Sequence, residues 1–449
     1  MKKNRKKISL GTIFTLCLTV VVTVGCIFLF SKMLGENPEA MMSAQKMMSV
    51  IGSALQAPTP EAIPQSTVRT VTVTLAPTAE LMPTPTPYLN AAPQNAPTVS
   101  VTADQREEYS FTLTAAGLAG FNSDISDSVY NKAAKTFDYA PVLSLIGQKI
   151  MADYNLVTLP NLLNTTDLKY ADVNAPEAIL DALLAGGFDD VLLNTEHVFD
   201  QGTEATEITA RAIMARGFSC GGVNAGDALQ NRMIYLNGAK IAMLAYTDTL
   251  TNKGNNALET QAGRNMLATF DLDHAKGMIQ SAKAQGANCI IVMIHWGRED
   301  TASITNAMRE KAQALAEMGA DIILGSHPSR VLPIEMIETR DENGNDRQTL
   351  VAYSMGTLLT ESRDGYDISG ILLHLDVTCD TQGNVRFNSI QYTPTYIWRQ
   401  SIEGKMQYRV VCSADLPPVG MDSKQIEVMG RALKRIQDTL VDSPVFQRK

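Results

Sequence analysis

The chain has no C-x-x-C pair, no internal repeat, no dinucleotide fingerprint and no phosphate-cradling loop with its lysine. Six scattered cysteines, two of them inside an apolar N-terminal run, signal neither a zinc ribbon nor a disulfide framework. Gly117 and Gly120 stand close together, but their spacing fits neither glycine-rich phosphate motif. Positive charge is in short supply: 38 Lys and Arg face 47 Asp and Glu, a formal net charge of −9. The deficit deepens once the basic cluster of the first seven residues is set aside. Affinity for polyanions rests on Lys and Arg, so the balance argues against nucleic acid or an anionic membrane surface as the main partner. Histidine is scarce as well, with five in 449 residues, so the placement of each carries information.

Lys2, Lys3, Arg5, Lys6 and Lys7 precede a run from Ile8 to Phe30 whose only ionisable side chains are Cys17 and Cys26. A helix of that length spans a hydrocarbon layer of about 30 Å. The expectation is one transmembrane helix over 8–31, a cytoplasmic tail over 1–7, and everything beyond about Lys32 outside the cell. Two alternatives stay open. A cleaved signal peptide shares the basic start but has a shorter apolar stretch. A lipoprotein signal ending at Cys26 would follow Gly25, but Thr23 suits that motif poorly and the apolar run continues through Phe30.

Nine of the 19 prolines fall between Pro58 and Pro97, among Thr, Ala and Gln. Such a composition buries too little apolar surface to fold, and 32–107 is expected to be a Met-rich and then Pro/Thr-rich extracellular stalk. From about Glu108 apolar runs of strand type alternate with helical patterns, the signature of an α/β domain. Strands are expected at Phe111–Ala116, Asp190–Asn194, Asn288–Ile294 and Asp321–Leu324, and helices at Pro176–Leu184, Glu204–Arg216, Asp273–Gln285 and Asn306–Met318. Asn237 and Gly238 predict a tight hairpin between Met233–Leu236 and Lys240–Tyr246. After Pro333 the pattern turns to strands, Val385–Tyr392 among them, and closes on a helix near Lys424–Leu440.

Three histidines follow apolar strand-like runs: His197 after VLLNTE, His295 after CIIVMI and His327 after DIILGS. Strand ends face the ligand crevice in an open α/β sheet, so three imidazoles there point to a metal or phosphate site. His274 and His374 lie in unremarkable helical and alternating patterns and are assigned no role. Asp200 is placed to cap the helix that starts near Glu204. Trp296 fits a pocket wall or the core, and Cys289 reads as a small buried hydrophobe.

The segments NTEHVFDQG, IHWGRED and GADIILGSHP, with Pro333 and Glu335 following, resemble the motifs of the bacterial CapA family of poly-γ-glutamate capsule proteins. GGVNAG, YLNGAKIAMLAYT and AYSMGTLL continue the likeness, which covers about Ser110 to Leu375. The resemblance implies a metallophosphatase-like α/β sandwich with a β-rich C-terminal part: a CapA-like domain over 108–378, completed by strands and a helix over 379–449. It implies His295 and His327 as metal ligands, Glu196 as a weaker one, His197 as general acid, and Trp296, Glu299, Asp200 and Ser329 around the cleft.

Several family ligands are replaced. Leu118 stands for the first motif's aspartate, and Thr158, Leu159 and Pro160 for the second motif. Glu196 stands for an asparagine, Ser329 for a histidine and Thr357 for another asparagine. A two-metal phosphatase site needs about six protein ligands. The expectation is therefore one divalent metal (Mn, Zn or Fe) or none, with Asp124 or Asp200 as partial compensation. By the resemblance, the protein works with membrane subunits of a polymer synthesis or export assembly and with the extracellular polymer. An acidic ectodomain suits a polyanion poorly unless a metal or a local basic patch intervenes. A binding protein with weakened or no catalysis, an active metal-dependent hydrolase or transferase, and a structural wall-spanning protein are the three readings that remain.

Overall fold

The computed structural model describes residues 107–164, 174–224, 232–341, 343–362 and 365–447. The expected cytoplasmic tail, transmembrane helix and nearly all of the stalk lie outside the described residues. Among the described residues, no helix is long and apolar enough to cross a membrane.

Two sheets face each other. The first runs Lys405–Cys412, Val385–Ile402, Ser369–Asp380, Glu108–Ala119, Tyr154–Thr158, Asp190–Leu192, Ser219–Gly221, with Thr357–Leu359 paired beside Glu108–Ala119. Its C-terminal strands are antiparallel, whereas the four from Glu108–Ala119 to Ser219–Gly221 are parallel. The second runs Ile334–Arg340, Asp346–Ala352, Ile322–Ser326, Cys289–His295, Ala239–Thr247, Arg232–Leu236, with its central four parallel.

Side chains alternate along each strand, so a fully apolar strand feeds two cores at once. Along Cys289–His295, Cys289, Ile291 and Met293 join Leu113, Leu156 and Leu192 of the first sheet in the layer between the sheets. Ile290, Val292 and Ile294 face the other way, into Ile279, Met308, Ala312 and Leu315 of the helices Leu272–Ala284 and Asn306–Met318. The helices Ile179–Ala185 and Gly202–Ala215 cover the first sheet in the same manner. The result is a four-layer α/β/β/α sandwich. Each fully buried Ile or Leu in these layers contributes about 1.5–3 kcal/mol.

Local signals agree with this framework. Asn237 and Gly238 both have positive φ, 49° and 93°, as a type I′ hairpin turn requires. Thr305 caps Asn306–Met318 by accepting from the Met308 N–H at 3.2 Å, and Gly319 closes that helix at φ 109°. Gly117 has no room for a side chain, because a Cβ there would lie 1.9 Å from the Gly356 carbonyl oxygen. Cys289 is buried as expected, and Cys220, Cys289, Cys379 and Cys412 are all free thiols.

Candidate metal centre

The parallel strands deliver their C-terminal ends to one place. Asp190–Leu192 leads through Leu193–Thr195 to Glu196 and His197, Cys289–His295 ends on His295, and Ile322–Ser326 runs into His327. The parallel register sets Thr247, His295 and Ser326 side by side. Alternation carries His295 to the inter-sheet side, where it is fully buried.

Glu196, His295 and His327 bring one ligand atom each to within 4.8 Å of one another. Glu196 Oε1 lies 3.3 Å from His197 Nε2 and 3.6 Å from His327 Nε2, while Oε2 accepts a close hydrogen bond from His295 Nε2. The His295 and His327 rings stack at 4.3 Å between centroids and 14° between planes. The ring nitrogens facing away from the cluster are also held: His295 Nδ1 by the Ser326 hydroxyl at 3.0 Å and His327 Nδ1 by Thr249 Oγ1 at 3.4 Å. His327 adopts φ 96°, a backbone state that costs a side-chain-bearing residue about 1–3 kcal/mol and that tends to persist at functional sites.

Beside the cluster stands a second pair. His197 Nδ1 lies 2.7 Å from Asp200 Oδ2, and the Thr251 hydroxyl donates to Asp200 Oδ1. The bond to Glu196 lifts the His197 imidazole, burial opposes it, Asp200 adds its own bond and charge, and the balance stands at about 9. Burial, reinforced by the neighbouring His295, pushes His327 down to about 4. Burial alone would raise Glu196, but bonds from His197 and His295 hold its carboxyl well below the usual range. The site thus offers an ionised carboxylate, a neutral imidazole at His327 and a protonated imidazole at His197.

Two imidazoles and a carboxylate suit Mn, Zn or Fe and leave coordination positions open. Bonds of about 2.1 Å allow two ligands of one ion to stand no more than about 4.2 Å apart. The donor set therefore has to draw in by under about 1 Å to close on an ion, a distance within reach of side-chain rotation. A second ion finds no such set among the described residues. Leu118 is apolar and half-buried, and Thr158 and Leu159 are buried. The Thr357 hydroxyl donates to the Ser329 carbonyl at 2.9 Å, so two of the replaced positions bond to each other. Asp124 is exposed, with its N–H bonded to Glu361, and joins no ligand group.

Four further expectations change in the structure. Trp296 is not a cleft wall: it is fully buried, stacked on Tyr353, with its Nε1–H donating to the Tyr353 carbonyl at 2.9 Å. Adjacent strand residues face opposite sides, so a cleft-facing His295 excludes a cleft-facing Trp296. Asp200 is not the helix cap: Gln201 holds that position without a side-chain bond, and His197 and Thr251 take the Asp200 carboxylate instead. Glu299 is exposed and contributes a backbone carbonyl, which accepts from the Ser329 N–H at 3.0 Å. Ser329 is buried and shapes the turn after His327. His374 is held by Thr114 and Thr393, a structural role.

The sequence reading missed Thr249, Thr251, Ser326 and Asn194. Asn194 Nδ2 donates to the Tyr246 carbonyl at 2.9 Å, tying the two sheets together beneath the cluster, while its buried Oδ1 has no partner among the described residues. Gly222 packs against Asn194 at φ 84°, where a Cβ would lie 2.5 Å from the Asn194 nitrogen. The N-T-E-H spacing hints at Asn194, whereas Thr251 is linked to Asp200 only by tertiary structure.

Fold and site define an α/β sandwich with a two-histidine, one-carboxylate cluster at the ends of its parallel strands. Residues 112–362, more than half of the chain, match the model of the family described as bacterial capsule synthesis protein PGA_cap, and the chain belongs to that family. It is 30% identical over 178 residues to the PGA biosynthesis protein CapA of Bacillus subtilis strain 168, covering 37% of this chain and 43% of that one. It is 25% identical over 195 residues to the capsule biosynthesis protein CapA of Bacillus anthracis, covering 42% and 44%. The chain thus spans less than half the length of either relative. Among solved structures it is similar to the calcineurin-like phosphoesterase YfkN of Bacillus subtilis, at 13% identity, TM-score 0.37 and 75% and 99% coverage. A similar match is the NAD nucleotidase of Haemophilus influenzae, at 13% identity, TM-score 0.38 and 76% and 64% coverage.

Proposed function

We propose that this CapA family member is a membrane-anchored extracellular protein that acts in the biosynthesis, retention or export of a polyanionic capsule polymer, poly-γ-glutamate or a chain like it. It acts through binding, with weakened or no catalysis. The observation that carries this reading is the ligand inventory: Glu196, His295 and His327 suffice for one divalent ion, while Leu118, Thr158, Ser329 and Thr357 supply nothing for a second. A phosphoryl group clamped between two ions has no counterpart here. The basic cluster and apolar run of residues 2–30 support the anchor, and the Pro-rich stretch after them supports a stalk that lifts the domain from the membrane. Partners are the membrane subunits of a polymer synthesis or export assembly and the polymer itself.

One observation favours the alternative, a metal-dependent hydrolase or transferase of the cell envelope. His197 is protonated at neutral pH and stands 3.3 Å from Glu196, where a general acid is useful. The two readings part on His295→Ala assayed in the full chain. A hydrolase loses nearly all metal-dependent turnover while keeping its fold. A binding protein has no such turnover in the wild type to lose.

A further inference from the structure

The acidic balance of the chain leaves a polyanion without an evident seat, but an arginine-lined cavity departs from that balance. It is an open groove of about 650 Å³ between the loop that follows His327 and the helix Ser423–Thr439, and Arg309, Arg330, Arg435 and Tyr366 all line it. The Tyr366 ring collects two guanidinium groups, Arg330 with its Cζ 4.1 Å and Arg435 with its Cζ 5.1 Å from the ring centroid.

The charges are unevenly matched. Arg309 holds both oxygens of Glu335 at 2.8 Å, and Asp438 at the rim is held by Lys434 at 2.9 Å. Arg435 donates to the Gly365 carbonyl and has no carboxylate partner among the described residues. Arg330 has no hydrogen-bonded partner there, and its Nε is buried and unsatisfied. Arg330 nonetheless lines the cavity, so an anionic oxygen there meets a charged donor, and charge-assisted bonds are stronger than neutral ones. Cation–π contact with Tyr366 holds the guanidinium plane in place without consuming its N–H donors.

The lining also carries the aliphatic side chains of Ile304, Pro333 and Ile436, interspersed with the hydroxyls of Ser303, Ser369 and Thr439. Charged forks beside aliphatic side chains match a chain whose carboxylates are spaced by methylene groups. A polyphosphate chain has no apolar stretch to lay against Ile304, Pro333 and Ile436.

We propose that the Arg330–Tyr366–Arg435 pocket binds the carboxylates of an acidic, aliphatic-backboned polymer chain; this rests on the capsule-polymer reading above. It is separate from the Glu196 cluster in the residues it uses and requires no metal.

The test is calorimetric titration of the full chain in detergent micelles with a γ-linked glutamate decamer, with and without a chelator. Saturable binding is expected in both conditions. Arg330→Gln and Arg435→Gln each weaken it at least about tenfold, since a charge-assisted bond is worth about 1.5–3 kcal/mol. Arg330→Lys, which keeps the charge and loses the fork, falls between. Arg340→Gln, on an exposed arginine paired with Asp346 elsewhere, binds as the wild type does. Wild-type affinity in folded Arg330→Gln overturns the pocket while the polymer reading stands. Equal or tighter Arg330-dependent binding of a polyphosphate of matched charge overturns the carboxylate assignment and the polymer class with it.

Discussion

His327 pairs a strained backbone with a ligand-type side chain, and the two can be separated by mutation. Both His327→Ala and His327→Gly remove the imidazole, its stack on His295 and its contact with Thr249. Only glycine also relieves the positive φ of 96°. A Cβ in such a conformation costs about 1–2 kcal/mol, and glycine gives back about 0.4–1 kcal/mol through its freer unfolded chain. His327→Gly is therefore expected to be more stable than His327→Ala by about 0.5–1 kcal/mol. Equilibrium urea unfolding of the full chain reads this as a midpoint about 0.2–0.4 M higher, for a slope near 2.5 kcal/mol per molar. Repeating the titrations with Mn, Zn or Fe at about a hundred times the dissociation constant should stabilise the wild type by about 2.7 kcal/mol and neither variant. If the alanine variant equals or exceeds the glycine variant in stability, the backbone at His327 is unstrained and the inference from strain to function fails.

Other perturbations test other parts of the account. Trp296→Ala should cost about 3–5 kcal/mol, as expected for a large core side chain, and leave the metal content of the folded fraction unchanged; a lowered content would return Trp296 to the cleft. Gly222→Ala meets both a positive φ and the Asn194 backbone, so a loss of at least about 2 kcal/mol is expected in urea unfolding, and a neutral result would show that the Asn194 turn is not rigid. Glu196→Gln should abolish retention of a divalent ion, measured by dialysis and elemental analysis, whereas Asp124→Asn should not. Asp153 accepts from the backbone N–H and hydroxyl of Thr112 at 2.7 and 2.8 Å, which lower its pKa although burial opposes them. Its contribution is present above the unfolded carboxylate range and lost as pH falls below it, so Asp153→Asn should flatten the acid side of the stability profile below about pH 4.

The sequence disclosed the architecture where local pattern and tertiary structure agree. Cys289–His295 is a continuous apolar run, Asn306–Met318 is an amphipathic helix capped by Thr305 and closed by Gly319, and Asn237-Gly238 leaves the backbone little choice. Tyr154–Thr158 escaped notice because its five residues run into Leu159-Pro160, although it is a buried central strand. The strand expected at Val385–Tyr392 extends to Ile402, past Pro394, a residue that removes a donor wherever it stands in a ladder. The strand continues through Pro394, which sits opposite Ile371 in the pairing with Ser369–Asp380, while pairing with Lys405–Cys412 begins only at Thr395, so that second edge asks for no donor from Pro394. At the site, the three strand-end histidines were legible from position alone. Trp296 was legible too, had alternation from His295 been applied strictly. The Asp200 role was not, because Thr251, 51 residues away in sequence, competes for a carboxylate that local rules assign to a helix end.

The central claim is that one ion at most occupies this fold and that binding has replaced turnover. It is tested most directly by elemental analysis of the full chain after incubation with manganese, zinc and iron and removal of loosely held ions, with a phosphodiester assay on the same sample. The account predicts no more than one ion per chain, dependent on Glu196, and no turnover. Close to two ions per chain with turnover would contradict it.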